Sequence, residues 1–300
     1  MGSHTTKVAA IAMHSVMADP RANLARVEDW VRKAHDKGAS FALFTEECIT
    51  GSMNKSDMSL AQIKEIAEEA WAISVPFLES LCHELQMTVI VGIIEPAYDR
   101  FFNTVLIVGP GGYLTKFSKL HLPGKEKDWF VPGADLPVVT SQDWTFSLGI
   151  CYDVRVPEIF RAAAQHGADF FLLAVGASGM AELVGADGDQ TEQARAHKAF
   201  SMKLLPSRAE DNGMYIFKAN QSGKSGSHWF PGLALAVDPY GDLIAEHMPD
   251  EGMIVTEVSR DVINEARAAM SCTLDEVRPE VYSQPVIVRE EEVAPTHAKE

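Results

Sequence analysis

Three side chains that could share one reaction stand far apart in this chain: Glu46, Lys119 and Cys151. Each follows an apolar run and precedes an irregular turn or a helix. The approach Thr145-Phe-Ser-Leu-Gly-Ile150 reads as a buried strand, and Pro157 opens a helical pattern that runs to His166. A strand-to-helix turn holds a side chain at an exposed sheet edge, where a nucleophile is useful. Backbone N–H groups at a helix start favour a thiolate or an oxyanion, and proline suits a first helical position because its missing N–H has no partner there. If the three positions converge, the carboxylate can take the thiol proton while the ammonium and a backbone N–H stabilise a tetrahedral oxyanion. That is a plan for acyl transfer through sulfur. A lone cysteine is more often a small buried hydrophobe, and Cys48, Cys82 and Cys272 are read that way. Glu47 competes with Glu46 for the acid, and His121 offers a Cys–His dyad as the alternative.

The elements that must position these groups follow from periodicity. Lys7–Met13, Phe41–Phe44, Thr88–Ile94 and Phe170–Val175 are apolar runs of strand length. Helical spacing marks Leu24 to Ala34, Leu60 to Ala70 and, as a separate helix, Phe77 to Leu85. Pro110-Gly-Gly112 and Asp238-Pro-Tyr-Gly241 are turn signals between strands. Ala194 to Asp211 reads as a helix broken at Pro206, Met214 to Asn220 as a strand, and residues 176–190 as a Gly-rich loop. Buried strands interleaved with helices, together with hairpins, predict mixed sheets covered by helices, an α/β layered fold.

Composition narrows the function classes. With 300 residues and no linker, repeat or low-complexity run, one large domain is expected, over residues 5–282, followed by a C-terminal extension at 283–300. Met1-Gly-Ser-His4 is set aside as a terminal scar. A net charge of −16 argues against nucleic acid and acidic membrane surfaces as partners. Four widely spaced cysteines with no Cys-x-x-Cys pair fit a reducing cytoplasm. No apolar run is long enough to span a bilayer. The histidines show no metal-ligand spacing, so no metal is expected.

The ordered motifs resemble the nitrilase or carbon–nitrogen hydrolase superfamily. They are Phe44-Thr-Glu46 with Gly51, Lys119-Leu-His121-Leu122, and Gly149-Ile-Cys151-Tyr-Asp-Val-Arg155-Val-Pro-Glu158. Weaker supports are Arg208-Ala-Glu-Asp-Asn212, Asn220 with Gly223, and Arg278-Pro-Glu-Val-Tyr282. The resemblance implies a four-layer αββα sandwich, a Glu46–Lys119–Cys151 triad, and a second glutamate, Glu126, that holds Lys119 and positions the substrate amine. It implies no cofactor and a homodimer or higher homo-oligomer.

Tyr152, Arg155 and His121 are the substrate-side candidates, with Asp153 and Arg155 also read as fixing the turn. Cys151-Tyr152-Asp153 resembles amidase-like members, so the expected substrate is a small carboxamide. The runner-up is an N-carbamoyl amino acid (ureido) substrate, although Val154 stands where a second arginine would complete a carboxylate clamp. A protein that kept the fold for binding or scaffolding alone is the reading from another class.

Overall fold

The computed structural model describes residues 4–53, 56–179, 189–225, 228–269, 274 and 276–282. Cys272, the 283–300 extension and residues 180–188 of the Gly-rich loop lie outside the described residues.

Strand alternation sets the layers. In β1 (Thr5–Ala12), Val8, Ala10 and Ala12 join one apolar cluster, while Ala9 and Ile11 join another. In β8 (Phe170–Val175), Phe170, Leu172 and Ala174 face the first cluster, and Phe171, Leu173 and Val175 face a third. Successive side chains on a strand point to opposite faces, so both sheets are buried on both sides.

The first sheet runs β12 (Gly252–Ser259), β1, β2 (Phe41–Leu43), β3 (Thr88–Pro96), β4 (Phe101–Gly109), β5 (Gly112–Ser118). The second runs β11 (Leu243–His247), β10 (His228–Val237), β9 (Tyr215–Ser225), β8, β7 (Trp144–Ile150), β6 (Val139–Ser141). Each mixes parallel pairs, β1/β2/β3 and β7/β8/β9, with antiparallel ones. Phe41 from one sheet meets Phe146 and Phe170 of the other edge-on, at ring separations of 5.8 and 5.3 Å.

Helices α1 (Pro20–Asp36) and α2 (Leu60–Leu85) cover the outer face of the first sheet through Leu24, Val27, Leu78 and Leu81. After a short α3 (Glu126–Trp129), helices α4 (Pro157–Gln165), α5 (Gln190–Ser201) and α6 (Leu205–Glu210) lie on the second sheet's side. Phe160, Leu205 and Ala209 pack there against Phe171 and Ile216. The order is helix, sheet, sheet, helix, as expected. α7 (Arg260–Ala269) and α8 (Pro279–Tyr282) close the described chain.

Local signals explain most boundaries. Asp19 caps α1 by accepting from the Ala22 N–H at 3.0 Å, with Pro20 at the start. Ser59 and Gln62 form a capping box on α2.

Two boundaries differ from expectation. The two helices expected over 60–85 are one, and Pro76 lies inside it. An interior proline costs about 3 kcal/mol, but the buried stripe Ile63, Ala67, Ala70, Ser74, Leu78 and Leu81 passes it unbroken. Packing against the sheet outweighs the lost hydrogen bond. The helical stretch near Pro206 breaks earlier, between Ser201 and Leu205, and Pro206 then sits in the first turn of α6, where it is tolerated.

Candidate active site

Four chain segments end at one edge of the double sheet. β2 leads to Glu46, β5 to Lys119, β7 to Cys151 and β8 to Gly176. Lys119 is fully buried there. Its ammonium lies 2.8 Å from Glu46 Oε1 and 2.7 Å from Glu126 Oε2. Burial works against this charge, but Glu46, Cys151 and Glu126 outweigh it and hold the amine well above the ordinary lysine range. Lys119 is therefore a fixed cation, with Cys151 inside its electrostatic reach.

Glu46 is held on both oxygens. Oε1 also accepts from the Asn103 amide at 2.7 Å, and Oε2 accepts from the Gly176 N–H at 2.7 Å. The turn that carries it presses on β3: a Cβ on Gly92 would lie 2.4 Å from Glu47 N and 2.5 Å from Thr45 O. Only glycine permits that approach. Glu47, the competing carboxylate, is also buried, at a left-handed φ of 54°. The contact with Lys119 belongs to Glu46.

Cys151 sits at a left-handed φ of 46°, uncommon for a residue with a Cβ, between β7 and a 3-10 turn over Cys151–Arg155. Asp153 pins this elbow. Its Oδ2 accepts from the Ile150 N–H at 2.9 Å, and its Oδ1 accepts from the His121 N–H at 3.0 Å. His121 Nδ1 lies 2.7 Å from the same oxygen. Burial raises the Asp153 pKa, and these bonds oppose the rise. The Tyr152 N–H, in the first turn of the 3-10 helix, has no acceptor within that helix.

A cavity of about 210 Å³ opens at Cys151 and runs between the second sheet and α5 and α6. Tyr152 and Arg155 line it, and Arg155 lies over the rings of Tyr152 and Phe200, 5.4 and 4.9 Å from their centres. His121 stands elsewhere: it lines an open groove on the other side of Tyr152, with Arg100 and Lys127. Its engagement is with Asp153, which argues against a Cys–His dyad. Among the described residues no group of three or more His, Cys, Asp or Glu side chains could hold a metal ion, and no helix is long and apolar enough to cross a membrane.

Comparison with known proteins agrees with this arrangement. The sequence model of the Carbon-nitrogen hydrolase family matches residues 7–268. The chain belongs to the carbon–nitrogen hydrolase family. An (R)-stereoselective amidase of Pseudomonas sp. is 28% identical over 69% of this chain and 70% of its own length. An omega-amidase of Saccharomyces cerevisiae is 27% identical over 94% and 96%. Among solved structures, a cysteine-to-alanine mutant of the amidase from Nesterenkonia sp. AN1 superposes with a TM-score of 0.72 at 26% identity, covering 90% of this chain and 97% of that one. Another form of that amidase, at 25% identity and a TM-score of 0.72 over 94% and 97%, shows covalent addition of the acetamide moiety of fluoroacetamide at its active-site cysteine. This carbon–nitrogen hydrolase thus falls on the amidase-like branch of the nitrilase superfamily.

Several residues of the hydrolase site carried no sequence expectation. Asn103 and Gly176 hold Glu46, and Lys218, Ser201 and His197 line the cavity. Lys218 carried a readable signal, because it is the one charged residue in the apolar run Met214-Tyr-Ile-Phe-Lys-Ala219. The residues that hold Glu46 carried none, since an asparagine early in a strand and a glycine after one are unremarkable without coordinates.

Proposed function

We propose that the protein hydrolyses a non-peptide C–N bond of a small carboxamide through a Cys151 thioester. The observation that carries this reading is the buried Glu46–Lys119–Glu126 cluster at the sheet edge where Cys151 is held in a strained elbow. Glu46 takes the thiol proton, and the sulfur attacks the carbonyl. Lys119 and the Tyr152 N–H receive the oxyanion. The protonated Glu46 gives its proton to the departing ammonia or amine, leaving the thioester. Glu46 then takes a proton from water, which attacks the thioester and releases the carboxylic acid, and the sulfur recovers its proton. Glu126 keeps Lys119 in line and faces the leaving nitrogen. No cofactor enters these steps.

The ureido reading differs in its products, since carbamate would decompose to carbon dioxide and ammonia. Val154 at the expected second arginine weighs against it. An inactive binding protein would have no use for the intact cluster. Ammonia and carbon dioxide release from a panel of amides, ureido acids and nitriles, for the native protein and Cys151→Ala, tests all three. Amide turnover that vanishes in Cys151→Ala supports the proposal, and carbon dioxide release moves it to the ureido class. No turnover of any member removes it. A homodimer or larger assembly in the cytoplasm is part of the proposal, and a monomer mass by light scattering would remove the first half.

A further inference from the structure

The outer face of β9 is apolar until Lys218. Ile216 precedes it on that face, and its cross-strand neighbours are Leu173 on β8 and Leu235 on β10. The side chain is only 5% exposed, and it lines the cavity that opens at Cys151. A buried ammonium is costly unless it is paired. Among the described residues no carboxylate pairs this one, and none of the described cavity-lining residues is acidic.

Its one side-chain bond goes to Ser201 Oγ at 2.5 Å. Ser201 donates its own proton to the His197 carbonyl at 2.8 Å, so its hydroxyl presents a lone pair to the ammonium. An ammonium has three donors, so two remain for the cavity. Leu173, Val175, Phe200 and Leu204 supply apolar wall, and Tyr152, Ser178 and His197 supply polar groups but no carboxylate. His197 is held neutral, because burial and then the Lys218 charge push its pKa down to about 4. Arg155 adds a second cation.

We propose that Lys218 anchors a carboxylate on the substrate, so that the preferred carboxamide is a short one with an acid group a few atoms from its reacting carbonyl. This rests on the amidase reading above. Substrate binding supplies the carboxylate that the described cavity lining lacks, and Ser201 aims the ammonium towards it. An uncharged acyl chain would leave the ammonium buried and unpaired, so the same residue selects against neutral amides.

The test compares succinamate with its neutral isostere isocaproamide, in the native protein and in Lys218→Met. Methionine has similar length and suits an apolar wall, so the fold is expected to survive. The native protein is expected to favour succinamate in kcat/KM by about thirty-fold or more, the worth of a buried charge-assisted hydrogen bond. The variant should lose most of that ratio. A native ratio near one, or a ratio that the variant leaves intact while both rates fall together, overturns the proposal; the second outcome would assign Lys218 to the sulfur. Protection of Cys151 from iodoacetamide by succinate requires no turnover. Protection that weakens by about ten-fold in Lys218→Met supports the anion site even if neither amide is hydrolysed, which would sink only the amidase reading. Absence of protection in the native protein overturns the site.

Discussion

His121 and Asp153 join the two sheets at the reacting edge. The Asp153 carboxylate, buried behind Cys151, accepts the His121 N–H at 3.0 Å and meets the ring nitrogen of the same histidine at 2.7 Å. His121 lies two residues after Lys119, and Asp153 lies two after Cys151. One carboxylate therefore sets the spacing between the cation and the sulfur. Asp153→Asn keeps the shape but weakens bonds to an ionised acceptor, each worth about 1.5–3 kcal/mol. The expected result is a lower melting temperature and reduced kcat with the Cys151 sulfur still reactive. An unchanged melting temperature and rate would show that the elbow does not need the bond.

Gly92 is the tightest point behind Glu46. A Cβ there would lie 2.8 Å from the Glu46 carbonyl carbon and closer still to the flanking backbone. Backbone cannot swing aside as a side chain can, so Gly92→Ala is expected to move Glu46. Activity should fall by about 10²-fold or more, as displacement of a general base implies. A variant that folds with full activity would place the base elsewhere.

The lysine and its two carboxylates should fail in different ways. Lys119→Met leaves the buried Glu46 without its cation and beside the partly exposed Glu126, at a cost of about 3–5 kcal/mol for a broken buried pair. Its melting temperature should drop sharply. Glu126→Gln leaves Lys119 paired with Glu46 at 2.8 Å. It is expected to fold and to lose about 10²-fold in kcat through misplacement of the lysine. Calorimetry with steady-state rates separates the two, and equal stability losses would contradict the geometry.

Thiol chemistry should single out Cys151. Burial pushes the Cys48 and Cys82 thiols up to about 12, so both stay protonated and unreactive at pH 8. Iodoacetamide at that pH is expected to label Cys151, with Cys48 and Cys82 labelled only after unfolding. Peptide mapping that finds Cys48 modified as fast as Cys151 in the folded protein would count against the assignment.

The anion preference should depend on pH. Burial lowers Lys218 from the ordinary 10.5 to about 8. The ammonium binds a carboxylate and the neutral amine does not, so the preference is full well below pH 8 and is lost as the pH rises through it. Facing Lys218 are Cys151 and Arg155 from the turn after β7, His197 and Ser201 from α5, and the apolar Leu173 and Leu235 from β8 and β10. The ratio of kcat/KM for succinamate over isocaproamide cancels titration of the sulfur, which both substrates share. A ratio that stays constant from pH 7 to 9.5 would show that the lysine charge is not what is read.

The layers, and the meeting of Glu46, Lys119 and Cys151 at one sheet edge, were legible because apolar alternation and motif order are local signals. Glu126 was harder. It lies in Lys125-Glu-Lys-Asp128, a charge run that reads as solvated loop, yet a one-turn helix directs it inward to Lys119. Pro76 misled in the opposite direction, because breaking power is a local property and the stripe that overrides it depends on the sheet beneath. Val154 and Arg155 suggested a damaged clamp for a carboxylate. Arg155 does line the cavity, and a second cation, Lys218, joins it from β9, some sixty residues downstream, through a fold that no local pattern reports.

The central claim is that the Cys151 sulfur carries the acyl group. Rapid acid quench of the protein mixed with a carboxamide it turns over, followed by mass measurement of the peptide containing Cys151, tests it most directly. The account predicts an increment equal to the acyl group on that peptide within the first turnover, absent in Cys151→Ala, which should also release no ammonia. Ammonia release with no increment, or undiminished release by Cys151→Ala, would contradict it.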